Sequence, residues 1–194
     1  MSRNEKKEQT RQRMVEAAGR GFRQSGFGGM GVDALAKAAG VTSGAFYVHF
    51  GSKAQAFHEA VVHGMADLKS GVLYFQTEHG ENWWPEFVRF YLGSKRSCYL
   101  AESCSLQSLS PEVARSDDAA KEAFESALRD VAQTIVNGPR SPRAPRDIDT
   151  AYAALASLIG AVTLARAVQG GAFADQLAQS VGKELLGPSW LERN

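Results

Sequence analysis

Apolar residues recur along this chain at steps of three and four, the spacing of helices that bury one face. Between Glu5 and Ser25 there is no proline, and Met14, Ala18 and Phe22 stand at i, i+4 and i+8 with Val15 beside them; Gly26 ends the pattern. Val32, Leu35, Ala36 and Ala39 then fall at offsets 0, 3, 4 and 7, one apolar face of a two-turn helix with Asp33 and Lys37 turned outward. Gly40 stops that helix, because glycine takes a left-handed cap at no steric cost. Val41 tucks under the turn, and Thr42 or Ser43 caps a second short helix running to about His49. Ala45, Phe46 and Phe50 are available to hold it against the first. Two short helices on a tight glycine turn predict a helix-turn-helix over 31–50. Neither is stable alone in water, so the Glu5–Ser25 helix serves as their backing.

After Gly51-Ser52, a helix beginning at Lys53 carries Ala56, Phe57, Ala60, Val61, Met65 and Leu68 on one side. Gly64 and Gly71 within it lower helix preference by ~1 kcal/mol each and read as points of loose packing. Asn82 caps an aromatic-rich segment with Trp83, Trp84, Phe87, Val88, Phe90, Tyr91 and Leu92. Asp117–Val136 forms a further helix, with Ala120, Phe124, Leu128, Val131 and Ile135 on its apolar side. The PRSPRAPR run at 139–146 predicts an exposed, poorly ordered loop. Asp147–Val168 is apolar nearly all round and must be buried on more than one face. A last helix, Phe173–Leu186, comes after Gly170-Gly171. The expected fold is all-α, about nine helices in all. Residues 1–52 form a three-helix domain holding the motif, and 53–194 a larger helical domain.

Composition fits a soluble globular protein: 194 residues, 44% hydrophobic and 22% charged. The opening MSRNEKKEQTRQR is charged and followed by no apolar core, so no leader is expected. The longest apolar run, Ala151–Ala165, contains Ser, Thr and Gly and ends at Arg166, short of a comfortable bilayer span. A cytoplasmic protein without a membrane partner is expected. Cys98 and Cys104 make neither a disulfide framework nor a metal signature. His58 and His63, five apart, do not share a helical face, and the four histidines make no metal set. There is no Gly-rich phosphate loop and no nucleophile elbow. Ser103 or Cys104 as a nucleophile would need a base that sequence does not place. No catalytic residue, metal or cofactor is therefore expected.

The net charge of +1 conceals an asymmetry. Residues 1–53 carry nine Lys/Arg against four Asp/Glu, a balance of +5, and the remainder thirteen against seventeen, a balance of −4. A basic end on an acidic body suits a partner rich in phosphate. Thr42, Ser43, Gly44, Tyr47 and His49 cluster on the second short helix and do not read as core. Hydroxyl and glycine positions let a helix approach base edges closely, while Tyr and His reach phosphates or bases. Lys53 adds a phosphate-seeking charge. Lys6, Lys7, Arg11 and Arg13 lead the backing helix, where they can follow a sugar–phosphate backbone.

The run AKAAGVTSGAFYVHFGSKAQAF at 36–57, with Gly26-Phe27 before it, resembles the AcrR-like helix-turn-helix of TetR-type transcriptional regulators. The likeness extends over roughly 8–65 and weakens beyond. It implies a double-stranded DNA operator contacted by Thr42, Ser43, Gly44 and Tyr47 at the groove, with His49 and Lys53 near phosphate. It further implies that the last two long helices pair with two-fold mates in a homodimer, so that the operator is nearly palindromic. A small-molecule effector of unidentified chemistry would enter the second domain, with Trp84, Phe87 and Tyr91 as candidate walls, and repression is the usual outcome. Met30 and Gly31 depart from the Thr and Ser/Thr usual at those positions. The stretch around Cys104, leading to Glu112-Val113-Ala114, resembles a subset whose cysteine responds to electrophiles or oxidants, although Ser103 and Ser105 replace the usual Gly and Pro. A helical ligand-binding or thiol-sensing protein that does not bind DNA is the alternative, and Met30 and Gly31 are its support.

Overall fold

In the computed structural model, which describes residues 2–188 and 190, the apolar stripes become nine α-helices. They are α1 (Arg3–Gly29), α2 (Val32–Ala38), α3 (Ser43–Phe50), α4 (Lys53–His79), α5 (Trp83–Phe90), α6 (Ser105–Val113), α7 (Asp118–Val136), α8 (Ile148–Ala167) and α9 (Gly171–Leu186). Among the described residues there is no strand. α1 starts on a capping box, in which the Ser2 hydroxyl accepts from the Glu5 N–H and the Glu5 carboxylate from the Ser2 N–H. It continues past Ser25, but its backbone leaves helical geometry at Gly26, where φ is +72° and ψ 171°. Such angles are strained for any residue with a Cβ.

The chain packs as two compact units. The first holds the residues up to Ala66 together with Tyr99–Glu125, and the second holds Asp67–Cys98 and the chain from Ser126 onward. The first unit's core joins Met14, Val15, Ala18 and Phe22 of α1 to Leu35, Ala36, Phe46 and Phe50 of the motif. Ala56, Phe57, Ala60 and Val61 of α4 enter the same core, as do Leu109 and Val113 of α6. The core of the first unit therefore draws on α4 and α6 as well as on the three helices of residues 1–52, because those two supply the apolar surface that α1–α3 bury.

Gly64 corrects the expectation of loose packing. A Cβ built there would lie 2.5 Å from the Ser105 Cβ, so glycine is what lets α4 meet the start of α6. At Gly71 a Cβ would meet nothing within 4 Å. Arg23 of α1 closes this junction, donating to the Ala101 carbonyl at 2.8 Å and to the Ser105 hydroxyl at 3.2 Å.

In the second unit α8 packs along α9, and α5 runs into a π-turn at Tyr91–Lys95. Trp83, Trp84, Phe87, Val88, Tyr91 and Leu92 are all buried. The PRSPRAPR segment is an irregular loop whose three arginines are exposed, as its composition predicts, but it is tied down rather than poorly ordered. Its Pro139 carbonyl accepts from the Trp83 indole at 3.0 Å, its Ser141 hydroxyl accepts from the Trp84 N–H at 3.2 Å, and Ser141 and Ala144 are buried. Arg143 and Arg146 bond backbone carbonyls of Glu184, Gly138 and Pro139. Two tryptophans far away in sequence thus order a proline-rich stretch. The apolar run Ala151–Ala165 lies within α8, which has 20 residues and is, by length and hydropathy, enough to cross a membrane where the run alone is short. Seven of them, including Leu155, Leu158 and Val162, are buried within the protein, which accounts for much of that apolar character.

Candidate nucleic-acid interface

The motif helices are fixed by local chemistry. At the turn, the Gly40 N–H donates to the Lys37 carbonyl at 3.0 Å and the Val41 N–H to the Ala36 carbonyl at 2.9 Å, with Gly40 at φ +70°. Thr42 caps α3, its hydroxyl oxygen accepting from the Ala45 N–H at 3.2 Å. Ser43 donates to the Asp33 carboxylate and so ties α3 to α2. Phe46 and Phe50, both buried with ring centroids 4.9 Å apart, anchor the inner face of α3. Gly51 ends the helix at φ +72°, its N–H donating to the Tyr47 carbonyl at 2.8 Å.

With that face turned inward, the remaining positions are set by the 100° turn per residue. Thr42 and Gly44 are exposed, Ser43 is half-buried, and Tyr47 is 52% exposed. Three of the six expected DNA residues, Thr42, Gly44 and Tyr47, are thus exposed, whereas Ser43, three residues before Phe46 and seven before Phe50, falls on the inner stripe and is half-buried against Asp33 of α2. The remaining two are half-buried as well. His49 is half-buried, and its Nδ1 is shielded from solvent without a hydrogen-bond partner. Lys53 is half-buried with Nζ 4.3 Å from the centroid of the Phe27 ring, a cation–π contact that ties the start of α4 to the end of α1.

Beside α3 lies a groove of about 330 Å³ lined by Lys7, Glu8, Arg11, Val48 and His49. Arg11 is held in place, its Nη2 2.6 Å from Glu59 Oε1 and its guanidinium 5.9 Å from the Phe50 ring centroid. Arg11 is thereby held next to the end of α3, its charge paired with Glu59, while Lys7 and Glu8 line the same groove. Val48 is 79% exposed, although nothing in the sequence alone singles it out. A valine next to Phe46 and Phe50 looks like core until the helix phase is known. At α2, Gly31 stands at the cap position with no side-chain hydrogen bond, as the departure from Ser/Thr implies. Met30 packs against the unit's core.

The candidate effector residues divide between the two units. Trp84, Phe87 and Tyr91 form a buried row in the second unit, with successive ring centroids 5.9 Å apart. The indole N–H of Trp84, a residue 0% exposed, has no hydrogen-bond partner. Cys104 belongs to the first unit, buried at the cap position of α6. Of the two thiols it is Cys98 that meets a cation: Arg166 Nη2 lies 3.3 Å from its Sγ. Among the described residues no group of His, Cys, Asp and Glu could hold a metal ion.

Residues 14–60 match the family model of the bacterial regulatory proteins of the tetR family. No curated protein sequence matches the chain. Among solved structures, a TetR-family transcriptional regulator from Cytophaga hutchinsonii superposes with a TM-score of 0.75 at 20% identity, over 96% of each chain. The reduced form of NemR from E. coli gives 0.70 at 18% identity, over 91% of this chain and 95% of that one. A TetR regulator from Chloroflexus aurantiacus gives 0.69 at 21% identity, over 92% and 95%. At these identities the likeness is one of fold, and it runs the length of both units.

Proposed function

We propose that this chain, a DNA-binding transcriptional regulator of the TetR type and not an enzyme, is a cytoplasmic homodimeric repressor released from a near-palindromic operator by a small-molecule effector or by modification of Cys104. Residues 1–52 are its DNA-reading part, and 53–194 its effector and dimerisation part. The observation that carries the reading is the outward surface of α3. Thr42, Ser43, Gly44 and Tyr47 face a groove in the DNA, and His49 and Lys53 lie at the edges, near phosphate. Lys7 and the Glu59-paired Arg11 stand beside α3 on the backing helix, next to Glu8.

The homodimer is supported by α8 and α9. Outside the buried row of α8, Ala153, Ala156, Gly160, Leu164 and Ala167 recur at steps of three and four, exposed except for half-buried Gly160. A Cβ at Gly160 would meet nothing within the protomer. Phe173 of α9 is 53% exposed. Small residues at this spacing suit close helix pairing about a two-fold axis.

Two observations support the release step. The unpartnered Trp84 N–H is a buried donor that an effector's acceptor could satisfy beside Phe87 and Tyr91. Cys104 adjoins Ser105, which Arg23 of α1 and Gly64 of α4 both meet, so enlarging its side chain would disturb the backing of the DNA-reading helices. The test is a titration on the DNA upstream of the protein's own gene, at two salt concentrations, with and without a quinone, using wild type and Cys104→Ser. Tight, salt-dependent binding that quinone relieves only in wild type supports the thiol-switched repressor. Binding indifferent to quinone in both proteins removes Cys104 and leaves a non-covalent effector. No selective binding there, or to any sequence enriched from a genomic library, overturns the repressor reading.

A further inference from the structure

Val48 has no use inside the protein. It is 79% exposed, on the outward side of α3 one turn beyond Gly44 and away from buried Phe46 and Phe50. A β-branched side chain is a poorer helix former than an unbranched one, and in water its isopropyl group gains nothing from burial. Gly44 is equally unexplained by packing, since a Cβ there would have only the Thr42 hydroxyl nearby, at 3.9 Å. Together they give α3 an apolar knob with an open approach in front of it.

The surroundings of this knob are charged: Lys7, Glu8, Arg11 and His49 line the same groove. An apolar group set among charged and polar side chains, Lys7 and the Glu59-paired Arg11 among them, does not suit the apolar face of another protein. It suits a surface on which a small hydrocarbon group stands within a few ångströms of phosphates. The major groove of DNA offers one, the C5 methyl of thymine, which side chains read by apolar contact. We propose that Val48 is a specificity-determining residue that packs against a thymine methyl in each operator half-site, an inference that rests on the DNA-reading role of α3 proposed above.

The test starts by enriching duplexes from a random-sequence pool with the full-length wild-type protein. Each thymine of the enriched sequence is then replaced in turn by deoxyuridine, which removes the methyl group and leaves base pairing intact. Wild type should lose about tenfold in affinity at one thymine and its symmetry mate. Val48→Ala should bind the thymine duplex about as weakly as wild type binds the deoxyuridine duplex, and should be indifferent to that replacement. Val48→Ile should remain sensitive. Because no phosphate contact is lost, the salt dependence of Val48→Ala should equal that of wild type. The inference is overturned if Val48→Ala keeps full sensitivity to deoxyuridine, or if wild type has none at any position. Should wild type enrich no sequence at all, the DNA-reading role itself fails and the inference falls with it, a result distinct from both.

Discussion

Side chains on α3 divide according to whether the protein itself uses them. Thr42 and Ser43 are engaged, one capping the helix and the other bonded to Asp33, so replacing either changes the fold locally as well as any contact outward. Tyr47 is different. Its ring touches Phe46 edge-on at 6.0 Å but is 52% exposed, and its backbone carbonyl, not its side chain, takes part in ending the helix. Tyr47→Ala should therefore leave the melting temperature within about 1–2 °C of wild type, as surface changes commonly do. Operator binding should fall by at least tenfold, the cost of about one lost base or phosphate contact. A binding titration and a thermal melt on the same preparation check this together. Unchanged affinity would take Tyr47 out of the interface.

At the level of the helix, the capping role of Thr42 and its proposed reading role are separated by two substitutions. Thr42→Ala removes the cap of α3 and should cost about 1 kcal/mol of stability, read from chemical denaturation. Thr42→Asp keeps a good cap and should hold stability near wild type, yet it sets a negative charge against phosphate and should weaken operator binding further than alanine does. If both variants bind DNA equally, Thr42 acts only as a cap. The same locality explains what could be read from sequence. Gly40, Thr42, Phe46 and Phe50 define the turn, the cap and the inner face within a dozen residues, so the motif and the outward placement of Gly44 and Tyr47 were legible. Gly64 was not, because the close approach it permits depends on Ser105, far along the chain. Nor was the order in the proline-rich segment, whose partners Trp83 and Trp84 come from another helix. Leu109 and Val113 look like any apolar pair; only the fold assigns them to the core beneath the motif.

For the molecule as a whole, the open question is what covers α8. A helix apolar on most sides must bury more than one face, yet within one chain its buried row leaves Leu164 55% exposed, along with Ala153, Ala156 and Ala167. The proposed second copy, related by a two-fold axis, would cover this stripe with itself, since each residue near the axis then meets its own mate. Leu164→Glu would set two like charges, poorly solvated, against each other across that axis, whereas in a lone protomer the same glutamate is merely a solvated side chain. Wild type should sediment as a dimer and the variant as a folded monomer at the same concentration, with unchanged far-ultraviolet circular dichroism. Operator binding should weaken by orders of magnitude, because two linked half-site contacts multiply and one alone does not. A Leu164→Glu protein that stays dimeric would show that the chain pairs through some other surface. A monomer that still binds its operator tightly would remove the need for two-fold symmetry in the DNA.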